Sequence, residues 1–222
     1  MIAILGGTGD LGQGLAMRWA MAGEKVIIGS RSKEKAEKIA QELSAKIGRT
    51  ILGATNLEAT KSADFVVLSV PFEGCEKILE EVMPALSPDK ILLSAMVPLK
   101  QTEGLLTCYS PPAGSAAETV AQIVGGRARV CSALQTVGAQ ELQRIDHPLE
   151  GDTVVCGDDA QARRQTMSYV EKIANLRAID GGRLCNSRLV EPVTALLIKL
   201  TGRYKVPAVG IKFVGLDKSP GL

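Results

Sequence analysis

The sequence predicts an α/β protein built on a doubly wound, mostly parallel sheet with a small C-terminal α/β lobe, and three observations carry that prediction. Short continuous apolar runs recur along the chain, the pattern of strands buried on both faces. Stretches of helical periodicity separate them. The first run, Ile2, Ala3, Ile4 and Leu5, passes without a linker into a glycine-rich turn, MIAILGGTGDLG.

That turn satisfies G-x-G-x-x-G with Gly7, Gly9 and Gly12. The first glycine permits a tight turn, the second lets the backbone approach a pyrophosphate, and the third lets the helix pack close to the strand. A strand, loop and helix start of this kind is the opening of a Rossmann-type dinucleotide-binding unit, with the phosphates on free N–H groups at the helix N-terminus. The helix is expected over residues 10–22, where Leu11, Leu15, Arg18 and Trp19 fall at helical spacing and Gly23 stands as the residue after the cap. KVIIG at 25–29 is the second strand, joined to the first by a right-handed crossover.

The residues directly after the second strand select the dinucleotide. A carboxylate there would bind the ribose 2′-OH of NAD, whereas a basic residue accommodates the 2′-phosphate of NADP. This chain has Gly29-Ser30-Arg31-Ser32 and no carboxylate before Glu34. Ser30, Arg31 and Lys35 are therefore assigned to a 2′-phosphate. Lys33 and Lys38 read as a solvated helix face. Ser32 caps a helix running to about Ile47 on Ala36, Ile39, Ala40 and Leu43, with Gly48 behind it.

The alternation then continues with a weak strand at 50–54, a helical turn at 56–61, a strong strand FVVLSV at 65–70 and a helix over 73–85. KILLSAMV at 90–97 is the fifth strand, and 101–114 reads as irregular. Ser115 and Glu118 form a capping box opening a helix over 116–124, followed by a strand at 129–134. Residues 140–152 turn polar and hold the only histidine, His147, which reads as a surface residue at a boundary or in a long surface loop. The expected division is therefore 1–140, a dinucleotide-binding domain, and 141–222, a small lobe that completes the sheet. In that lobe a strand is expected at 153–157, a helix capped by Asp158 or Asp159, a strand at 177–179, an apolar helix at 189–200 and a last short strand at 209–214.

Composition bounds the function. The 222 residues are 45% hydrophobic and 23% charged, with a net charge of +2 and 3% aromatics, so no basic, aromatic-interleaved surface suggests nucleic acid. The five cysteines are widely spaced and suit neither zinc nor a disulfide framework. They read as reduced and mostly buried. No apolar stretch reaches the length of a membrane span, and the first strand leaves no room before it for a signal peptide, so a cytoplasmic location is expected. The apolar helix at 190–200 is compatible with a homodimer contact or with packing on the sheet.

An enzyme acting on an alcohol or ketone must move a proton as well as a hydride. The candidates here are poor: His147 lies in a polar segment, and none of Tyr109, Tyr169 and Tyr204 is followed four residues later by lysine. No catalytic side chain and no metal ligand set is assigned. An NADP site of this kind suits hydride exchange with a second redox carrier, where the protein contributes positioning.

ILGGTGDLGQGLA, GSRSKEKAE, SALQTV, VCGDD and NSRLVE, in that order along nearly the whole chain, resemble the archaeal and bacterial F420-dependent NADP oxidoreductases. The resemblance implies reversible hydride transfer between NADP and the 8-hydroxy-5-deazaflavin coenzyme F420, from C5 of the reduced deazaflavin to C4 of the nicotinamide. It places Thr8, Gly9, Asp10 and Leu11 at the pyrophosphate, Ser30, Arg31 and Lys35 at the 2′-phosphate, and Phe72, Val97 and Ala139 along the rest of NADP. It places the deazaflavin near Gln135, Val137, Arg188 and Thr194. Gln135 stands where some relatives have histidine, Val137 where some have isoleucine, and Pro192 where some have a hydroxyl residue. Core packing is the alternative for Val137 and Thr194. Two other readings share the NADP half: an NADPH-dependent reductase of a flavin, ferric chelate or small imine, and a non-enzymatic NADP-sensing protein.

Overall fold

The structure, a computed structural model, describes residues 1–216, so the last six residues of the expected 141–222 lobe lie outside the described residues. The first strand, β1 (Ile2–Leu5), is buried along its whole length. Around it the chain runs α1 (Asp10–Met21), β2 (Val26–Ser30), α2 (Lys33–Ile47), β3 (Ile51–Thr55), α3 (Asn56–Lys61) and β4 (Phe65–Leu68). Next come α4 (Cys75–Val82) between two short 3-10 turns, β5 (Ile91–Ser94), β6 (Leu99–Thr102), β7 (Leu105–Cys108), α5 (Ala116–Val124) and β8 (Arg129–Ser132). The remainder is α6 (Ala139–Gln143), β9 (Gly151–Gly157), α7 (Ala160–Glu171), β10 (Leu176–Asp180) and α8 (Ser187–Tyr204).

Eight of these strands form one sheet in the order β10-β9-β8-β5-β4-β1-β2-β3. β1 pairs in parallel with β2 on one side and β4 on the other, so the chain changes direction across the sheet at the β1–β4 crevice. Ligands of open α/β sheets bind outside the strand C-termini at such a point. β9 is antiparallel to β8 and parallel to β10, which makes the sheet mixed at its far edge. One face is covered by α1, α2, α6 and α7 through Leu15, Trp19, Ala36, Leu142 and Val170. The other is covered by α3, α4 and α5 through Ala59, Leu79 and Val120.

Three local expectations are corrected. The antiparallel hairpin β6–β7 runs into the stretch at 101–114 that reads as irregular. Its turn is Glu103-Gly104 with φ of 51° and 77°, the paired positive values of a tight two-residue hairpin turn. Glutamate in place of asparagine, and polar outward residues Lys100, Gln101 and Thr102, hid it. Residues 209–214 form no strand: Ile211 accepts one backbone bond from Asp152 at 2.7 Å, but Phe213 N–H donates to the Asp152 carboxylate at 2.6 Å, so no ladder propagates. Finally, the polar segment after 140 is not a long surface loop, because it begins with α6, whose Leu142 is fully buried against α1.

Arg18 makes that docking. Its buried guanidinium donates to the carbonyls of Glu141, Leu142, Arg144 and His147 at 2.7 to 3.0 Å, closing the C-terminal end of α6 from α1. Bonds from a charged donor contribute about 1.5–3 kcal/mol each and overlap when they share one group. Arg18→Ala is expected to cost about 3 kcal/mol, since buried carbonyls lose their partner. In a domain of this size that lowers the melting temperature by roughly 6–12 °C, measurable by calorimetry.

Candidate functional site

The glycine loop sits at the end of β1 with each glycine serving a different constraint. A Cβ on Gly7 would lie 2.6 Å from Ile28 Cβ and one on Gly12 would lie 2.6 Å from Gly7 Cα, so both are required by packing within the chain. Gly9 differs: its φ is −85°, and an added Cβ would meet only the Gly6 carbonyl oxygen at 3.4 Å. Nothing in the protein demands glycine there, which fits a backbone kept bare for a ligand. Gly9 is also the N-cap of α1 and no side chain caps it, so the first turn presents its N–H groups outward with Thr8, Asp10 and Leu11 around them. Gln13 Nε2 donates to Thr8 O at 2.8 Å and steadies the loop.

Across the crevice, β2 ends on Ser30, and Ser32 caps α2 by accepting Lys35 N–H. Lys33 is paired with Glu58 at 3.3 Å. The side chains of Arg31 and Lys35 have no ion-pair partner among the described residues, and both are exposed. Cations in the first turn of a helix oppose its macrodipole unless an anion joins them. Ser30, Arg31 and Lys35 thus form a cationic pair with a hydroxyl at the end of the second strand, suited to a phosphate monoester.

Between the strand ends and α8 lies a cleft of about 530 Å³. Asp10, Leu11, Val97, Gln135, Val137, Ala139 and Thr194 line it, which brings together seven of the residues expected from sequence. Gln135 is 5% exposed and donates through Nε2 to Ser94 O at 3.3 Å, while its Oε1 is buried with no partner. A buried carbonyl oxygen without a donor is costly, and a ring N–H or amide entering the cleft would satisfy it. Thr194 reaches over from α8 and donates to Gln135 O at 2.8 Å. Asp10 is the one ionisable side chain among the described lining residues.

The floor of the cleft is held in an uncommon backbone conformation. Leu134, two residues beyond β8, has φ of 74°, and its N–H donates to the buried Thr153 hydroxyl of β9 at 2.7 Å. Such a conformation in a non-glycine residue costs on the order of 1–3 kcal/mol and persists where surrounding bonds over-determine it. β9 therefore positions Gln135 from behind, through a contact no local sequence pattern announces.

Two expected site residues stand elsewhere. Phe72 begins the 3-10 turn after β4 and packs edge-on to Tyr109 at 6.1 Å, outside the residues that line the cleft. Arg188 binds Glu118 through its guanidinium at 2.6 and 2.7 Å and Ala113 O at 3.1 Å, against α5, and is not among the residues that line the cleft. The physical reason is the capping of α5. Ser115 accepts Glu118 N–H, but Glu118 turns to Ser115 Oγ and Arg188 instead of closing the capping box. Ala116 and Ala117 N–H groups are taken by Glu191 of α8 at 2.8 and 3.2 Å. Burial pushes the Glu191 carboxyl up to about 7, against the two N–H bonds that favour its charged form.

Residues the sequence did not single out complete the site. Leu197, Ile198 and Thr201 continue the α8 wall, and Pro207, Ala208 and Val209 close it from the tail. Thr201 lies two turns beyond Thr194, a spacing that could have revealed it. The tail carries no such signal, since its position depends on Ala208 meeting Gly138 and Ile211 meeting Asp152. His147 is half exposed beside Asp146 at 3.3 Å. Cys131 and Cys156 are buried, with thiols pushed up to about 11 by desolvation, and Cys185 is exposed.

The sequence profile of the family described as coenzyme F420-dependent NADP oxidoreductase matches residues 1–98. The F420-dependent NADP reductase of Methanocaldococcus jannaschii is 40% identical over 223 residues, covering 97% of this chain and 99% of its own. That of Methanothermobacter thermautotrophicus is 39% identical, covering 98% and 96%. Among solved structures, a chain from Arthrobacter sp. FB24 proposed to be an F420-dependent NADP reductase superposes with a TM-score of 0.80 at 23% identity, over 96% of this chain and 97% of that one. An imine reductase from Bacillus cereus gives 0.60 at 19% identity over 92% and 62%. These last two likenesses are of fold.

Proposed function

The chain belongs to the coenzyme F420-dependent NADP oxidoreductase family, and on that premise we propose that its cleft carries out reversible hydride transfer between reduced coenzyme F420 and NADP+. The protein is an NADP- and F420-dependent oxidoreductase. The observation that supports this use of the site is one continuous cleft, walled on one side by Asp10 and Leu11 of the glycine loop and on the other by Thr194 and Leu197 of α8. Two planar rings can stack there, one from each wall.

In this reading Thr8, Gly9, Asp10 and Leu11 hold the pyrophosphate, and Ser30, Arg31 and Lys35 hold the 2′-phosphate. Val97 and Ala139 flank the nicotinamide end, with Phe72 as an outer neighbour beyond β4. Val137 and Thr194 face the deazaflavin, and Gln135 Oε1 accepts a hydrogen bond from an N–H at the ring edge. When bound, the two coenzymes supply the hydride donor and acceptor; the protein aligns them and keeps water out with apolar walls. Residues 1–140 then form the NADP half. The second part of the proposed division, 141–222, completes the cleft through its described residues and is joined to that half through Arg18.

Leu189 and Leu196, both exposed and two turns apart on α8, support a homodimer through that helix. The cysteines among the described residues are all free, which supports a reducing, cytoplasmic compartment. Among the described residues no helix is long and apolar enough to cross a membrane.

The test is spectrophotometric. Purified protein given NADP+ and reduced F420 is expected to form NADPH, and given NADPH with FMN, a ferric chelate or a cyclic imine it is expected to show little turnover. Turnover with one of those acceptors and none with F420 would transfer the assignment to it. Binding without turnover in any arm would leave an NADP sensor.

A further inference from the structure

We propose that Glu191 is a positioning residue that sets the deazaflavin wall of the cleft by holding α8 against the N-terminus of α5. The proposal rests on the F420 reading of that wall. α8 makes three polar contacts along one face: Ser187 Oγ with Ser132 Oγ at 2.6 Å, Glu191 with Ala116 and Ala117 N–H, and Thr194 Oγ1 with Gln135 O at 2.8 Å. Residues 187, 191 and 194 share a helical face, so these contacts act on one rigid rod. Glu191 is the middle one and is 1% exposed. Just beyond it on the same helix stand Thr194, Leu197, Ile198 and Thr201, the residues that line the cleft. The glycine loop and β2, which serve the dinucleotide, have no bond to Glu191 among those described.

The two N–H bonds favour a carboxylate here, although burial opposes its charge. The carboxylate accepts one N–H on each oxygen, Oε2 from Ala116 and Oε1 from Ala117, and its charge favours the helix N-terminus. Protonation turns one oxygen into a donor that faces an N–H, and one of the two bonds is lost. The groups around Glu191 are few. On α5, Glu118 raises its proton affinity and is itself held by Arg188 of α8. On β7, Cys108 has a thiol pushed up to about 11 and stays neutral. Ser132 on β8 and Cys156 on β9, the latter also near 11, lie beside Ser187 and carry no charge. With burial moving the carboxyl to about 7, α8 is held by both bonds above neutrality and loosened below it.

That sign sets the expected result. Glu191→Gln keeps the shape, offers one acceptor and does not titrate. At pH 8 it is expected to raise the KM for F420 by about fivefold to tenfold and change that for NADP by less than twofold. At pH 6, where wild-type Glu191 is mostly protonated, the wild-type and variant F420 KM values should converge to within twofold. A purely structural role would lower kcat or both KM values together at every pH. A constant ratio from pH 6 to 8, or equal change for the two substrates, overturns the proposal.

Amide hydrogen exchange of the unmodified protein gives a second reading that needs no variant and no turnover. After correction for intrinsic rates, protection at Ala116 and Ala117 is expected to fall about tenfold between pH 8 and pH 6. Unchanged protection overturns the proposal even if the variant fails to fold. A wild-type protein with no F420 turnover but with the exchange response refutes the F420 reading and leaves the hold of Glu191 on α5 standing.

Discussion

Gly9→Val is expected to weaken NADP binding by more than about a hundredfold while lowering the melting temperature by no more than about 4 °C. The two halves of this result have different origins. Gly9 has an ordinary extended backbone with φ of −85° and ψ of 168°, and a Cβ there touches only the Gly6 carbonyl oxygen. The stability cost is that of a poorer N-cap, on the order of 1 kcal/mol. A branched side chain, however, fills the space in front of the uncapped α1 N–H groups, where the pyrophosphate is proposed to sit. Losing charge-assisted bonds to it amounts to roughly 3 kcal/mol, or two decades in affinity. Gly12→Ala should do the reverse, because its Cβ meets Gly7 Cα at 2.6 Å and backbone must move. There about 3 kcal/mol of stability is lost. NADPH fluorescence titration with parallel thermal melts separates the two, and normal NADP affinity in Gly9→Val would falsify the pyrophosphate assignment.

Arg31→Ala is expected to lower the preference for NADP over NAD by ten- to a hundredfold, with kcat/KM for NAD nearly unchanged. A charge-assisted bond to a phosphate contributes roughly 1.5–3 kcal/mol, and each 1.4 kcal/mol is a decade. Arg31 is exposed and has no competing carboxylate partner among the described residues, so its removal frees no buried charge and costs little stability. The effect should shrink as salt rises, because the pair is solvated. Lys33→Ala is the control: that lysine is already paired with Glu58, and its removal should leave the ratio within about twofold. An unchanged NADP/NAD ratio in Arg31→Ala removes the residue from the 2′-phosphate site.

These two predictions use the part of the site that could be read from local pattern. The β1 run, the three glycines, the Ser30-Arg31 end of β2 and the caps Ser32 and Gly48 are each recognised within a few residues of one another. Their conformations are set by short-range sterics and hydrogen bonds. Ser32 does accept Lys35 N–H, and Gly48 does end α2 in the left-handed conformation. The C-terminal half of the cleft was legible only as motif resemblance. Gln135, Val137 and Thr194 meet in the cleft, while Arg188, four residues from Pro192 in the same motif region, serves α5.

What local pattern could settle was where the chain extends, where it coils and which turn stays bare for a phosphate, since neighbouring residues suffice for each. The arrangement of the far half depended on groups brought together by folding. Arg18 closes α6 across more than a hundred residues, Thr153 pins Leu134, and Glu191 takes the first two N–H groups of α5. Each is a buried polar group whose partner had to be found elsewhere, because an unpaired one is too costly to keep. Such pairings leave no periodicity or spacing behind. They exist only once folding has placed α6 on α1, β9 beside β8 and α8 against α5.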